Sequence, residues 1–166
     1  MVQPNFRWDE DDMAPTTTEA AARAQLLRHF VRTLRALPAG SALARRHPDL
    51  PKAGLHGGIT SAVDADDPDH LAFFDIAYWV IGATPQNSDR YFELVLDAWR
   101  EKGWPTRTDR DTSPRAGYTR TTDGFGISVR QSVDGYLSVS GTTPLFGADS
   151  DKGRPLPPRI DHPSEG

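Results

Sequence analysis

Apolar positions spaced three and four apart dominate the early part of the chain, and positions alternating in twos dominate the later part. Leu27, Phe30, Val31 and Leu34 fall at i, i+3, i+4 and i+7, the stripe of an amphipathic helix. Thr16 and Glu19 precede it at capping-box spacing, and Pro38 and Gly40 close it. The pattern predicts a helix from Thr18 to Leu37 with Arg23, Arg28, Arg32 and Arg35 on its wet face. Tyr91, Phe92, Val95, Leu96 and Trp99 form a second stripe, started by Asn87 or Ser88 and stopped by Gly103-Trp104-Pro105.

Between the two stripes, Leu71 to Ile81 (LAFFDIAYWVI) is dense in aromatic and β-branched residues and apolar on both alternating faces except at Asp75. That composition predicts a central strand buried on both sides. After the second helix, Thr106 to Asp111, Tyr118 to Thr122, Phe125 to Val133 and Tyr136 to Thr142 read as strands, with Asp123-Gly124 and Asp134-Gly135 as two-residue hairpin turns. In the third of these, Phe125, Ile127, Val129 and Val133 are expected on the buried face, continued by Leu137 and Val139. Ser41 to Asp69 is broken by Pro48, Pro51, Gly54, Gly57, Gly58 and Pro68 and reads as loop, with room for a short strand over Gly58 to Val63. The expected class is α+β: a two-layer sandwich of two main helices on a mostly antiparallel sheet ending in a β-meander. Residues 1–15 form a flexible arm in this reading, 16–146 a single domain, and 147–166 a Pro/Gly-rich tail without buried periodicity.

Composition narrows the functional classes. A net charge of −4 argues against a general polyanion binder. The lack of cysteine excludes disulfides, thiolate metal sites and cysteine nucleophiles. No apolar run reaches the roughly 20 residues of a membrane span. Met1 to Glu10 has neither the basic nor the apolar region of a leader, so the expected location is conditional: extracytoplasmic or cell envelope if a leader precedes Met1, cytoplasmic otherwise.

Asp64, Asp66, Asp67, Asp69 and His70 crowd potential ligands for a hard cation into seven residues, but without the glycine and closing glutamate of an EF-hand loop. An ordinary solvated loop is the expectation there. His47, His56 and His70 have no paired ligand spacing. His56-Gly57-Gly58 echoes the oxyanion segment of esterases, but no serine sits in a nucleophile elbow. Asp75, within its apolar run, is the carboxylate whose burial needs a partner. Arg107, Arg110, Arg115, Arg120 and Arg130, with Tyr118 and Tyr136, lie on the meander, interleaved with Asp109, Asp111, Asp123 and Asp134. That mixture reads as a solubilising face, with an anionic surface or nucleic acid as the competing reading.

The stretches Trp99-Arg100-Glu101-Lys102-Gly103-Trp104 and Asp134-Gly135-Tyr136-Leu137-Ser138-Val139-Ser140-Gly141, with the order of elements from about Pro4 to Phe146, resemble the small LppA-like lipoproteins of actinobacteria. The resemblance implies that the acidic, aromatic segment Asn5 to Glu10 follows a membrane tether. The chain has no lipobox cysteine, and Pro144-Leu145-Phe146 stands where related sequences often carry a cysteine after the last strand. No activity transfers with the resemblance. The expectation is therefore a non-enzymatic, envelope-associated or exported accessory domain, without cofactor and without nucleic acid. Its partner would be a protein or envelope component, bound through the Ser41 to Asp69 loop or the exposed sheet face. The alternative is a small cytosolic enzyme or regulatory domain using the acidic loop 64–70 and Asp75.

Overall fold

The computed structural model describes residues 17–64, 66 and 70–165. The expected arm and the residue Thr16 lie outside them. Helix α1 spans Glu19–Arg35 and α2 Ser88–Glu101. The strands are β1 Ala42–Ala44, β2 Ile59–Ala62, β3 Leu71–Ile81, β4 Thr106–Thr108, β5 Ala116–Arg120, β6 Gly126–Gln131, β7 Leu137–Thr142, β8 Phe146–Gly147 and β9 Arg159–Asp161. They form one sheet in the order β4-β5-β6-β7-β3-β1-β9, with β2 and β8 also paired to β3 and every pairing antiparallel. Two helices on an antiparallel sheet make this an α+β fold, as the hydrophobic pattern predicts.

Both helices lie on the same face of the sheet. Leu26, Phe30 and Leu34 of α1 and Phe92, Val95, Leu96 and Trp99 of α2 join Phe74, Ile76, Tyr78, Val129 and Val139 in one core. Glycines set the helix-to-sheet distance: a Cβ on Gly117 would stand 2.5 Å from Leu96 Cδ2, and one on Gly141 would stand 2.6 Å from Leu26 Cδ1. Trp99 is fully buried and its indole N–H donates to Thr33 Oγ1 at 3.2 Å, tying the helices together. Trp104 is buried beyond the α2 terminus. Thr18, not Thr16, caps α1, its hydroxyl accepting from the Ala21 N–H at 3.1 Å. Glu19 is thereby freed from the box: it is buried, pairs with Arg23 and accepts from Thr60 Oγ1 at 2.7 Å, joining α1 to β2.

Several expectations are corrected. β3 has the expected bounds but is buried on one face only: Phe74, Ile76, Tyr78 and Val80 face the helices, whereas Phe73, Asp75, Ala77 and Trp79 are half-buried on the other. An apolar composition on both faces does not place a second layer over the strand. β1 and β2 both lie in the segment read as mostly loop; three or four residues between proline and glycine breaks are too few to show a period. Val133 is 90 % exposed, because β6 ends at Gln131 and the chain has already entered the turn. In the hairpins only the glycines have positive φ, +91° at Gly124 and +92° at Gly135, so each turn ends in a single left-handed residue rather than two.

The tail is the largest departure. β9 pairs with β1, and Leu156, Ile160 and His162 are buried. The Tyr78 hydroxyl donates to the Pro157 carbonyl at 2.9 Å, and burial pushes its pKa up to about 12. A tail of alternating prolines and charges has no readable period, yet it supplies a strand for an edge that would otherwise be open.

Candidate functional site

The sheet face away from the helices carries three parallel rows of side chains, fixed by strand register. Arg107, Tyr118, Ser128, Ser140 and Ala77 form one row across β4, β5, β6, β7 and β3. Arg120, Gly126, Thr142 and Asp75 form the second, and Ala116, Arg130, Ser138 and Trp79 the third. At the Trp79 end the loop 45–57 folds over the face. Trp79 Nε1 donates to the Ala53 carbonyl at 2.8 Å, and the His47 ring packs edge-on against Trp79 and Tyr136. The rest stays open as a groove of about 510 Å³, within the size range of small-molecule sites.

The floor of the groove is small and hydroxylated. Ser128 and Ser140 hydrogen-bond to each other, Thr142 flanks them, and a Cβ on Gly126 would meet nothing within 4 Å. Its wall is cationic. The Arg107 guanidinium lies 4.7 Å and that of Arg130 5.3 Å from the Tyr118 ring centroid, one reaching in from each strand beside β5. Each such contact contributes about 0.5 to 1 kcal/mol at an exposed site. Arg120 Nη1 donates to the Gly124 carbonyl at 3.3 Å. Among the described residues, Arg107, Arg120 and Arg130 make no ion pair with a carboxylate.

The interleaved acids that suggest a neutral mixture are turned elsewhere. Asp109 accepts from the Ala116 N–H at 2.8 Å, and this bond holds its carboxyl below the usual range. Burial alone would raise the Asp123 pKa, but hydrogen bonds from Thr121, Gln25 and His29 outweigh it and keep it lowered. Arg115 also leaves the face, pairing with Glu93 at 2.7 Å and lying over the Phe92 ring. Arg110 pairs with Asp109 at 3.7 Å. Tyr136 belongs to the covered end, its hydroxyl donating to Asp49 at 3.3 Å. Of five arginines and two tyrosines on the meander, the fold therefore gathers Arg107, Arg120, Arg130 and Tyr118.

The acidic loop gathers less. Asp64 Oδ1 accepts from the Asp66 N–H at 2.9 Å, Asp67 and Asp69 lie outside the described residues, and His70 is exposed with φ of 47°. Among the described residues no group of three or more histidine or carboxylate side chains is placed to hold a metal ion. His47 is buried and His56 exposed. Asp75 has no ion pair or hydrogen-bond partner for its side chain among the described residues. Its half-exposed position on the open face removes the need for one. Sequence reasoning misses His29, whose buried ring joins α1 to Asp123 in the β5–β6 turn; its place on the apolar stripe of α1 is the available signal.

No helix among the described residues is long and apolar enough to cross a membrane. No protein-family model, no curated protein and no solved structure matches the chain.

Proposed function

We propose that this chain is a non-enzymatic binding domain that holds an anionic ligand on the open face of its sheet. One observation carries the reading: Arg107, Arg120 and Arg130 converge beside Tyr118 over a floor of glycine and hydroxyls, with no carboxylate of the chain paired to them among the described residues. Guanidinium groups bind phosphate and carboxylate in bidentate fashion, and serine and threonine hydroxyls complete an anion's shell. The groove supplies cations and hydroxyls but no activated nucleophile, which favours binding over chemistry. Tyr118 is already engaged by two guanidiniums, so a stacked nucleobase would have to displace them. That competition disfavours single-stranded nucleic acid as the ligand. The resemblance to LppA-like lipoproteins adds an envelope location to the reading, testable by fractionating cells that express the native gene.

Calorimetric titration with inorganic pyrophosphate at low ionic strength tests the binding claim. Saturable binding is expected. The combined substitution Arg107→Gln, Arg120→Gln and Arg130→Gln should weaken it at least about tenfold, or about 1.4 kcal/mol. The fold should be nearly unaffected, since exposed substitutions cost about 0.5 kcal/mol or less each. No heat of binding in the folded parent chain, or unchanged affinity in the triple variant, refutes it.

A further inference from the structure

The open face is asymmetric. Its three unpaired cations stand on β4, β5 and β6, and its unpaired carboxylate, Asp75, stands on β3 in the same row as Arg120, Gly126 and Thr142. Opposite charges in one row would ordinarily form a cross-strand pair. Here Arg120 and Asp75 are three strands apart, about 14 Å, and the intervening floor is Gly126 and Thr142. From Gly126, where the space above the backbone is open, to Asp75 is two strand spacings, about 9 to 10 Å.

We propose that the groove takes a phosphate ester of a polyol, with its phosphate over Gly126 among Arg107, Arg120 and Arg130 and its hydroxyls running over Ser140 and Thr142 toward Asp75. The proposal rests on the anion-binding reading and extends it to the ligand's far end. Guanidiniums match the phosphate oxygens. Serine and threonine hydroxyls both donate and accept, as a polyol's hydroxyls do, and an ionised carboxylate accepts two hydroxyl donors. Gly126 gives the phosphate room: its φ lies outside the left-handed region, so a larger residue is allowed by the backbone and is omitted only from the groove. Asp75 stands one strand past the groove's rim at Thr142, where the tail of a ligand the length of a hexose phosphate would end.

Titration of the folded chain with glucose 6-phosphate, inorganic phosphate and glucose, in the parent and in Asp75→Ala and Gly126→Leu, tests this. Glucose 6-phosphate is expected to bind about tenfold tighter than inorganic phosphate. Asp75→Ala should weaken glucose 6-phosphate without weakening phosphate, and Gly126→Leu should abolish both while the melting transition persists. A carboxylate that merely repels anions would, on removal, raise both affinities, and that result overturns the proposal. Equal affinity for phosphate and glucose 6-phosphate in the parent also overturns it while leaving the anion site standing. Failure of all probes to bind the parent removes both readings together.

Discussion

His29 Nε2 stands 3.1 Å from each carboxylate oxygen of Asp123, so the first helix is tied to the turn between β5 and β6 through a buried ring. The other nitrogen, Nδ1, is buried without a hydrogen-bond partner, and the ring lies edge-on to Trp104 and Phe125. A neutral imidazole suits this place. Burial lowers the His29 pKa below 6.5, over the opposing effect of Asp123, and Arg32 and Arg28 add to the lowering.

The folded state therefore binds fewer protons than the unfolded chain near the ordinary histidine pKa. Its contribution is fully present above 6.5 and is lost as pH falls through that value toward the folded pKa. Urea melts at about pH 7.5 and about pH 5.5 should give a lower midpoint at the acid value, and His29→Gln should shrink the difference. An undiminished difference in the variant places the effect in another group. The lowered pKa of Asp123 acts in a separate window, its contribution being present above 3.8 and lost as pH falls further.

Trp99 fills the space between the helices and donates to Thr33. Its truncation to alanine should cost about 3 to 5 kcal/mol, read as a shift of the denaturant midpoint at constant slope. A midpoint close to the parent's contradicts the packing of α2 on the sheet.

Gly126 and Gly141 lie on adjacent strands and opposite faces. Valine at Gly141 would drive into Leu26 and Phe30, costing about 1 to 3 kcal/mol or more. Valine at Gly126 meets open space and should melt close to the parent. Equal losses at the two positions would mean that the faces have been assigned wrongly.

Removing the chain beyond Gly147 should destabilise the fold, because β9, Leu156, Ile160 and His162 are lost from the β1 edge and the core. Ile160→Ala alone should cost about 2 to 5 kcal/mol. A shortened chain with an unchanged thermal transition would show that β9 contributes nothing.

Long periods were legible in the sequence and short ones were not. The stripe from Tyr91 to Trp99 and the run from Leu71 to Ile81 mark α2 and β3 to the residue, because eleven or more positions establish a period. β1 and β9 have three residues each, and their formation depends on each other's unpaired backbone rather than on any local pattern. The arginines of the meander were visible as a group, with Tyr118 beside them. Their separation from Asp109 and Asp123 was not: it arises from strand register and from side chains that bond to Ala116 and His29 across the fold. In the same way, which side of β3 faces the helices follows from packing that an apolar run cannot reveal.

The open cationic face is tested most directly by following backbone amide resonances while inorganic phosphate is added at low ionic strength. Saturable shifts are predicted to centre on Gly126, Ser128, Ser140 and Thr142, with the amides of β1 and β9 at the far edge unmoved, and to vanish in the Gly126→Leu chain. Shifts scattered over the surface, or centred on the loop from Asp64 to His70, would contradict an anion site on this face.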